Sequence, residues 1–492
     1  MKGHKGTQQH DVVIIGGGVV GTALAYFLAA PHHDPFCQSL RNIIRPSKAT
    51  APNRRLIITL LEKQTIASEA SSLSAGTIWC TGPPTLPSPF PTFRWLSTLL
   101  YQHLQKHDES VEYIQCGGFQ LACTDEEKVY GKKVFDEDQK SGGTSIWFDS
   151  LSKLKESNII PGYLLTNSNA VAAMYSPFCG QVNGGMASHA LAALAGKESI
   201  LKMASGDNGL DSVNIVEGCE VFQIDEITND DTSVWGYDVR CKDGTNLLAH
   251  NVILANGAWA NSIQLPPSCP QMLPIEGVKG QIVVSAPVSE AKLVSDYDCK
   301  ADKSSWFPII YFFQAHLFWA KNKVTWPAQM THKRSGERTT SHAYGRLAPD
   351  GRFYFGGDRT HLKKAFKPTY EDYEPDSSML SQLLDTKIYP TLLGVQGWFT
   401  GDNADEVGSW AGVMPFSVDG LPIIDDLSTP KECGNISRVQ PRLWICSGFG
   451  PSGIMDGPGA AFLLSEWIRT GKKPELLEPF GMNRGGRGNK QP

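Results

Sequence analysis

The fold is decided by one stretch near the start of the chain, Asp11-Val12-Val13-Ile14-Ile15-Gly16-Gly17-Gly18-Val19-Val20-Gly21. The four β-branched residues Val12–Ile15 predict a buried parallel strand that ends at Gly16. Val19–Leu28 has the spacing of a helix, and Pro31 ends that helix. A strand that runs through G-x-G-x-x-G into a helix is typical of a Rossmann-type βαβ unit that binds a dinucleotide.

Each glycine of the motif has its own physical task. Gly16 allows the tight turn after the strand, Gly18 lets a pyrophosphate approach the backbone, and Gly21 packs the helix against the strand. The backbone N–H groups of Val19 and Val20 then meet the pyrophosphate, together with the positive end of the helix dipole. We therefore predict that these five residues hold the diphosphate.

An acidic residue for the ribose follows at the end of the next predicted strand, Leu56–Leu61. Glu62 would accept both ribose hydroxyls, and its charge disfavours the 2′-phosphate of NADP. It lies 41 positions after Gly21, where about 20 are usual. Residues 31–55 have no periodicity and are predicted to be an inserted surface loop that accounts for the difference.

The apolar run Val12–Ala30 also permits another interpretation, a signal peptide or membrane anchor. Asp11 directly before the run, and the four glycines within it, favour the strand and helix instead. No later stretch is long and apolar enough to span a bilayer.

Composition limits the function classes. With 492 residues the chain is expected to form two to four domains, and its net charge of −5 gives no reason to expect nucleic acid as a partner. The 11 cysteines include no C-x-x-C pair, so neither a disulfide framework nor a metal site is predicted. Asp34 and Cys37, close to two histidines, lack a second ligand pair and are not taken as a metal site.

Later segments alternate between helix and strand. Helices are predicted at Gly185–Ala195 and Gly459–Arg469, and strands at Glu220–Ile224, Gly236–Cys241, Asn251–Leu254, Ile309–Phe313, Arg352–Phe355 and Trp444–Ser447. From about 270 to 395 the sequence is strand-like and rich in aromatic residues. This predicts a separate antiparallel layer inserted between pieces of the nucleotide-binding domain.

Several blocks together resemble the D-amino-acid oxidase family, which includes glycine oxidase, sarcosine oxidase, and the sarcosine and dimethylglycine dehydrogenases. After the glycine motif, the blocks are Glu62-Lys63 with Ala70-Ser71-Ser72-Leu73-Ser74-Ala75-Gly76, then Val252–Trp259, then Trp410-Ala411-Gly412 with Asp419–Ile424, and finally Ser447–Ile454. They run in family order from residue 11 to about 480. The resemblance implies FAD as the cofactor.

The resemblance also assigns residues to FAD. It puts Val19 and Val20 at the pyrophosphate, Glu62 and Lys63 at the ribose, and the backbone of Val221 at the adenine. The other implied contacts, to the phosphates and the flavin, come from Ala70, Ser71, Ala75, Gly76, Thr77, Gly257, Phe449, Gly450, Ser452, Gly453, Ile454 and Met455.

Four departures from the family pattern bear on function. Relatives that tether flavin covalently have a histidine where this chain has Leu73, or a cysteine where it has Gly412, so FAD is expected to bind non-covalently. An arginine that grips the substrate carboxylate in some relatives is replaced by Met414, and a lysine of the last loop by Met455. A thioether cannot pair with a carboxylate.

A substitute clamp would have to come from another strand, or the substrate is not a simple amino acid. Arg346 and Arg359 are the candidates, with Tyr344 as a further donor. The default expectation is a surface or rim position for such arginines and a buried structural role for Tyr344.

The predicted fold is α/β, with a discontinuous Rossmann-type FAD-binding domain and an inserted antiparallel-sheet substrate domain. The FAD-binding domain would comprise residues 1–115 (with the loop insertion 31–55), 171–270 and 396–480. The substrate domain would comprise residues 116–170 and 271–395, and residues 481–492 would form a flexible tail.

The predicted function is FAD-dependent oxidation of the C–N bond of a small-molecule amine or amino acid, by hydride transfer to flavin N5. One alternative is a flavin-binding accessory or regulatory protein without amine turnover. A third hypothesis, an NAD-dependent dehydrogenase, leaves the late Gly448–Gly453 loop without a purpose. The odd cysteine count favours a cytoplasmic protein, with mitochondria as the alternative. The substrate and the electron acceptor stay open.

Overall fold

A computed structural model describes residues 9–30, 34–44, 56–86, 88–157, 159, 170–204, 212–228, 234–287, 309–312, 338–362, 368–377, 408–428 and 441–484. The chain divides into two compact units. Unit 1 combines Met1–Ser72, Gly184–Gly277 and Met414–Pro492, and unit 2 combines Leu73–Asn183 and Val278–Val413. The assignment of cofactor and substrate domains to stretches of the chain stays a prediction.

Strands and helices are numbered in chain order. The strands are β1 (Gln9–Ile15), β2 (Ile57–Leu61), β3 (Thr77–Ile78), β4 (Gly118–Ala122), β5 (Ile146–Phe148), β6 (Ala172–Ser176), β7 (Gly180–Gln181), β8 (Ser212–Val216), β9 (Val221–Thr228), β10 (Val234–Cys241), β11 (Asn246–Leu254), β12 (Ile275–Val284), β13 (Ile309–Phe312), β14 (Arg338–Leu347), β15 (Phe353–His361), β16 (Gly408–Ser417), β17 (Ile423–Asp426) and β18 (Arg442–Ser447). The helices are α1 (Val19–Ala29), α2 (Pro35–Ile43), α3 (Pro89–Gln105), α4 (Asp125–Lys140), α5 (Leu151–Glu156), α6 (Gly184–Ala204) and α7 (Gly453–Thr470).

Unit 1 is built on a mostly parallel sheet. Its parallel strands lie in the order β8-β2-β1-β11-β18, with β17 antiparallel to β18 and the β9–β10 ribbon antiparallel to β11. Counted along the chain, the parallel strands read 3-2-1-4-5, so the strand order reverses between β1 and β11. Ligands of such sheets bind at the carboxyl ends of the strands at this reversal. The predicted α/β fold class is confirmed.

Helix α1 explains the apolar run that follows β1. All of its residues are buried, and it packs against α6 and α7. A helix buried on every side needs apolar residues around its whole circumference, so the run belongs to a protein core. Within the described part of the chain, no helix has the length and apolar character needed to cross a membrane.

The predicted surface loop at residues 31–55 is wrong in part, because α2 occupies Pro35–Ile43. Asp34 caps this helix by accepting a hydrogen bond from the backbone N–H of Cys37 at 2.7 Å, and Pro35 stands in its first turn. An aspartate followed by proline is a helix-start signal that the loop interpretation overlooked. The rest of this stretch, 31–33 and 45–55, lies outside the described residues.

Unit 2 contains the antiparallel layer. Its described strands form one sheet in the order β16-β12-β15-β14-β13-β4-β6-β5. The pairs β12–β15, β15–β14, β14–β13, β4–β6 and β6–β5 are antiparallel, whereas β13 and β4 are parallel. Strands from two distant parts of the chain therefore share one sheet, and β3 pairs separately with β7.

Candidate functional site

The turn after β1 is packed so tightly that only glycine fits. Gly16 has a φ of 112°, and a Cβ there would lie 2.6 Å from the carbonyl oxygen of Ala255 at the end of β11. A Cβ on Gly21 would lie 1.9 Å from the carbonyl oxygen of Gly16. The turn therefore presents bare backbone where the first amides of α1 have no intrahelical acceptor. Such a cradle fits a diphosphate.

Glu62 lies at the end of β2, beside this turn. Its Oε2 accepts a hydrogen bond from the backbone N–H of Gly17 at 2.7 Å, and its Oε1 accepts one from Gln64 at 2.9 Å. The side chain is buried, but each carboxylate oxygen has a second lone pair. The carboxylate is thus held in place by backbone donors and keeps acceptor capacity for ribose hydroxyls.

The second predicted FAD segment reaches the start of α1. Ser71 Oγ accepts a hydrogen bond from the backbone N–H of Val19 at 2.9 Å. A Cβ on Gly18 would lie 3.1 Å from the same Oγ. The structure therefore brings Ser71, and with it the neighbouring Ala70, to the glycine turn, as a shared phosphate site requires. Contact of these residues, and of Val20, with FAD itself stays a prediction.

Lys63 is a buried cation next to Glu62. Its Nζ lies 2.9 Å from Glu69 Oε1 and 3.1 Å from the centroid of the Trp259 ring. Burial lowers the pKa of this ammonium, while the Glu69 carboxylate opposes the shift. The ammonium is thus engaged by protein groups, and its predicted contact with the ribose is untested.

The remaining predicted cofactor residues of unit 1 lie at strand ends. Val221 is the buried first residue of β9, and Gly257 follows β11 with a φ of 57°. The last loop begins after β18 and forms a 3-10 turn at Gly450–Ser452 before α7. Phe449 directly precedes this turn, and Gly453, Ile454 and Met455 are the first residues of α7. Their contact with the flavin stays a prediction.

Unit 2 buries the guanidinium of Arg346 among neutral groups. Its Nε donates to the carbonyl of Ala75, its Nη1 donates to Gln181 Oε1 at 2.7 Å, and its Cζ lies 4.3 Å from the centroid of the Tyr354 ring. Arg346 is 7% exposed, so the default expectation of a surface arginine is wrong. Burial lowers the pKa of Arg346, and in the described part of the chain no carboxylate forms an ion pair with it.

An unsatisfied donor lies beside this cation. Gln181 Oε1 is used by Arg346, and the buried Gln181 Nε2 has no hydrogen-bond acceptor among the described residues. A buried donor without an acceptor costs about 1–3 kcal/mol. We call these two side chains the anion-binding cluster (Arg346 and Gln181), because, within the described part of the chain, a buried cation without an ion-pair partner lies beside a buried amide donor without an acceptor.

The predicted flavin-side segment of unit 2 adjoins this cluster. Ala75 accepts from Arg346, Gly76 has a φ of 65°, and a Cβ on Gly76 would lie 1.9 Å from the carbonyl oxygen of Val182. Thr77 Oγ1 accepts a hydrogen bond from Tyr311 Oη at 2.6 Å. These contacts fix the backbone of residues 75–77 within unit 2.

Arg359 and Tyr344, the other two candidates for the substrate clamp, differ in how deeply they are buried. Arg359 is 5% exposed, so it too is buried rather than on the surface. Tyr344 is half-buried, and burial raises its pKa to about 12, against the opposing effect of Arg359 and Arg346. Tyr344 therefore stays protonated at neutral pH and can donate a hydrogen bond.

Sequence reasoning missed Gln181 and Tyr354. Tyr354 could have been found, because Asp350-Gly351 is a hairpin turn signal and the register places Arg346 opposite Tyr354. Gln181 has no such signal, since it lies 165 positions from Arg346.

The two positions where relatives tether flavin lie together. A Cβ on Gly412 would lie 3.2 Å from the Cβ of Leu73. Trp410 Nε1 donates to the carbonyl of Leu73 at 3.0 Å, and its ring packs against Tyr354 with centroids 5.4 Å apart. Neither Leu73 nor Gly412 has an atom that could bond covalently to flavin.

A buried carboxyl group, Glu276 on β12, was not predicted. Burial alone raises its pKa to about 7 from the usual 4.5. The folded protein therefore retains this proton between pH 4.5 and 7, where the unfolded chain releases it, so stability falls as pH rises through that window. We expect Glu276→Gln to raise the free energy of unfolding by about 1–2 kcal/mol at pH 8, after a discount for partial solvation.

Thermal melts of Glu276→Gln at pH 5 and pH 8 check this. The gain should be present at pH 8 and small at pH 5. Glu137→Gln, at an exposed position of α4, is the control and should change neither melt. An equal gain at both pH values would contradict the assignment.

Known proteins resemble this chain in sequence and in fold. The profile of the DAO family, described as FAD dependent oxidoreductase, matches residues 11–467. Glycine oxidase of Geobacillus kaustophilus (strain HTA426) is 23% identical over 484 residues, which cover 97% of this chain and 98% of the relative.

Solved structures share the fold. L-proline dehydrogenase from P. horikoshii has a TM-score of 0.66 at 20% identity, with 99% of this chain and 100% of that chain covered. Dithionite-reduced L-alpha-glycerophosphate oxidase from Mycoplasma pneumoniae, with FAD bound, has a TM-score of 0.58 at 16% identity, with 94% of each chain covered.

The family match extends over nearly all of the blocks on which the resemblance rests, and the glycine cradle with Glu62 fits the ADP half of FAD. The hypothesis of an NAD-dependent dehydrogenase is therefore dropped, and the cofactor is FAD. This chain belongs to the family of FAD-dependent oxidoreductases that includes D-amino-acid oxidase.

Proposed function

We propose that this protein oxidises the C–N bond of an amine or amino acid that carries a carboxylate, and that Arg346 anchors this carboxylate. The observation that carries the proposal is the anion-binding cluster: a buried guanidinium with neutral partners beside an amide nitrogen without an acceptor. A carboxylate would neutralise the cation and accept a hydrogen bond from Gln181 Nε2. The names glycine oxidase and L-proline dehydrogenase, carried by two of the similar proteins, support an amino-acid substrate.

The chain's own residues bind and orient the substrate. FAD supplies the two-electron acceptor for the hydride that leaves the substrate carbon. Arg346 and Gln181 would hold the carboxylate, and the protonated Tyr344 hydroxyl would supply a further donor. No general base is needed when the amine is bound in its neutral form.

FAD would bind without a covalent tether, because Leu73 and Gly412 stand at both tethering positions. Glu62 would hold the ribose, and the turn Gly16–Gly21 the diphosphate. We also propose an intracellular location, because all nine described cysteines are free, as a reducing compartment allows.

A specific observation favours a second candidate, a flavin-binding protein without amine turnover. Met414 and Met455 stand where active relatives carry an arginine and a lysine. If no other residue anchors the substrate, the cofactor would be retained without catalysis.

One experiment separates the two candidates. The purified protein is mixed anaerobically with amines, N-methyl amino acids and D-amino acids, and bleaching of the flavin absorbance is followed. We expect bleaching by a carboxylate-bearing substrate, and release of all the flavin on acid precipitation. A protein that keeps its FAD but bleaches with no candidate would support the accessory role.

A further inference from the structure

Two cysteines and an aspartate from separate turns of unit 1 lie together. The Sγ atoms of Cys219 and Cys241 and a carboxylate oxygen of Asp243 are all within 4.8 Å of one another. Both thiols are buried, whereas Asp243 is exposed. We call these three residues the thiol cluster.

Backbone hydrogen bonds hold the two turns of the thiol cluster side by side. The N–H of Lys242 donates to the carbonyl of Glu220 at 2.9 Å, and the N–H of Cys241 donates to the carbonyl of Thr245 at 2.9 Å. Gly218 and Gly244 have φ values of 73° and 90°. A glycine in the left-handed region next to a ligand residue allows the sharp turn that directs the side chain inward.

The donor set suits a thiophilic metal ion. Tetrahedral zinc with bonds of about 2.3 Å to sulfur places its ligand atoms about 3.7 Å apart. The observed separations, at most 4.8 Å, exceed that distance by no more than about 1 Å. Two thiolates and one carboxylate fill three of the four positions of a tetrahedral ion. Because Asp243 is exposed, water can reach the fourth position.

We propose that Cys219, Cys241 and Asp243 bind one divalent ion of the zinc class, with water as the fourth ligand. The ion takes the place of the two thiol protons, which are released to solvent, so that two thiolates and one carboxylate face a charge of +2. The site then carries one net negative charge, and Lys242, the residue between two of the ligands, is itself paired with Glu220 at 2.7 Å.

The Asp243 carboxylate is already oriented for this role. The N–H of Thr245 donates to its Oδ1 at 2.9 Å, and the hydroxyl of Thr245 donates to its Oδ2 at 3.1 Å. Hydrogen bonds of this kind orient metal ligands and raise their affinity. The carboxylate keeps further lone pairs for a metal.

The thiol cluster adjoins the cofactor residues through one bond. The N–H of Cys219 donates to the carbonyl of Glu62 at 2.8 Å, the residue proposed to hold the ribose. A bound ion would therefore fix the turn against the end of β2. The role is structural, and it does not depend on which substrate the enzyme oxidises.

The test measures metal bound to the FAD-loaded protein. After treatment with a chelator, the protein is titrated with Zn²⁺ and the bound metal is counted by mass spectrometry. Co²⁺ is then added, and the visible bands of four-coordinate thiolate-bound cobalt are sought at wavelengths longer than the flavin absorbance. We expect one ion per chain, and two protons released at neutral pH.

Three variants decide the outcome. Cys219→Ser is expected to weaken binding at least about 100-fold, since loss of an outer-shell partner alone costs 10–100-fold. Asp243→Asn, at an exposed position that tolerates substitution, should weaken binding about 10-fold or more. Cys123→Ser removes a half-buried thiol of unit 2 and should leave binding unchanged.

Equal metal uptake by the wild type and by Asp243→Asn and Cys219→Ser would overturn the proposal. So would a Cys219–Cys241 disulfide in peptide mass spectra of protein prepared without reductant. FAD content and turnover are measured on the same samples, so that failure of the metal site is distinguished from failure of the proposed oxidation.

Discussion

Gly21→Ala is expected to abolish FAD binding and to destabilise the protein by about 3–5 kcal/mol. The new methyl group would lie 1.9 Å from the carbonyl oxygen of Gly16. No rotamer change relieves this contact, because the backbone fixes the position of Cβ and the oxygen is a backbone atom. Helix α1 must then move away from β1, and the amides that face the diphosphate move with it. The measurements are the flavin-to-protein absorbance ratio and a denaturant melt.

Gly196→Ala is the matched control. Gly196 is also a helical glycine of unit 1, in α6, but a Cβ there meets nothing within 4 Å. Alanine is the better helix former by about 1 kcal/mol, so this variant should retain FAD and melt at the same or a slightly higher temperature. A yellow, fully loaded Gly21→Ala protein with a wild-type melt would contradict the glycine cradle.

Arg346→Met is expected to remove the preference for substrates that carry a carboxylate. If Arg346 anchors this group, kcat/KM for an amino acid should fall by about 10²–10³, because loss of one partner of a buried charged pair costs about 2–5 kcal/mol. The corresponding amine without a carboxylate should be affected far less. The measurement is therefore the ratio of kcat/KM for matched pairs such as glycine and methylamine.

Two further variants show which arginine is responsible. Arg346→Lys keeps the charge but not the two-pronged geometry, so it should restore only part of the ratio. Arg359→Met tests the other candidate of the same unit. If the kcat/KM ratio of amino acid to amine falls in Arg359→Met but is unchanged in Arg346→Met, Arg359 is the residue that binds the carboxylate.

A structural effect of Arg346→Met must be separated from the loss of the anchor. The substitution leaves the carbonyl of Ala75 and Gln181 Oε1 without their donor, and each lost hydrogen bond to a charged group costs about 1.5–3 kcal/mol. The FAD dissociation constant and the flavin reduction potential are therefore measured as well. A variant that binds FAD more weakly but keeps its substrate preference once saturated with FAD would assign Arg346 to the cofactor.

The sequence predicted the fold of unit 1 well, because its signals are local. The strand Val12–Ile15, the glycines after it and the helix from Val19 are adjacent in the chain, and each has a physical requirement that few residues meet. The same holds for Glu62 at the end of the next strand. The error at residues 31–55 came from weak periodicity, since a nine-residue helix offers only about two turns to recognise.

Other features depended on contacts that no local pattern contains. The sequence did not distinguish Arg346 from other arginines of the chain. Its partners Ala75 and Gln181 lie 271 and 165 positions away, so only the folded chain brings them together. The thiol cluster has no local signal either, because its ligands come from two turns, whereas the sequence pattern typical of a metal site is a closely spaced pair of cysteines.

By itself, the sequence determined the strand–turn–helix that opens the chain, the acidic residue after the second strand, and membership of a flavin-dependent family. These depend on backbone geometry and strand order, which neighbouring residues dictate. Only the tertiary structure decided which charges are buried and which donors lack an acceptor. Burial and pairing arise when strands far apart in the chain share one sheet, so a residue's charge environment becomes known only after the chain has folded.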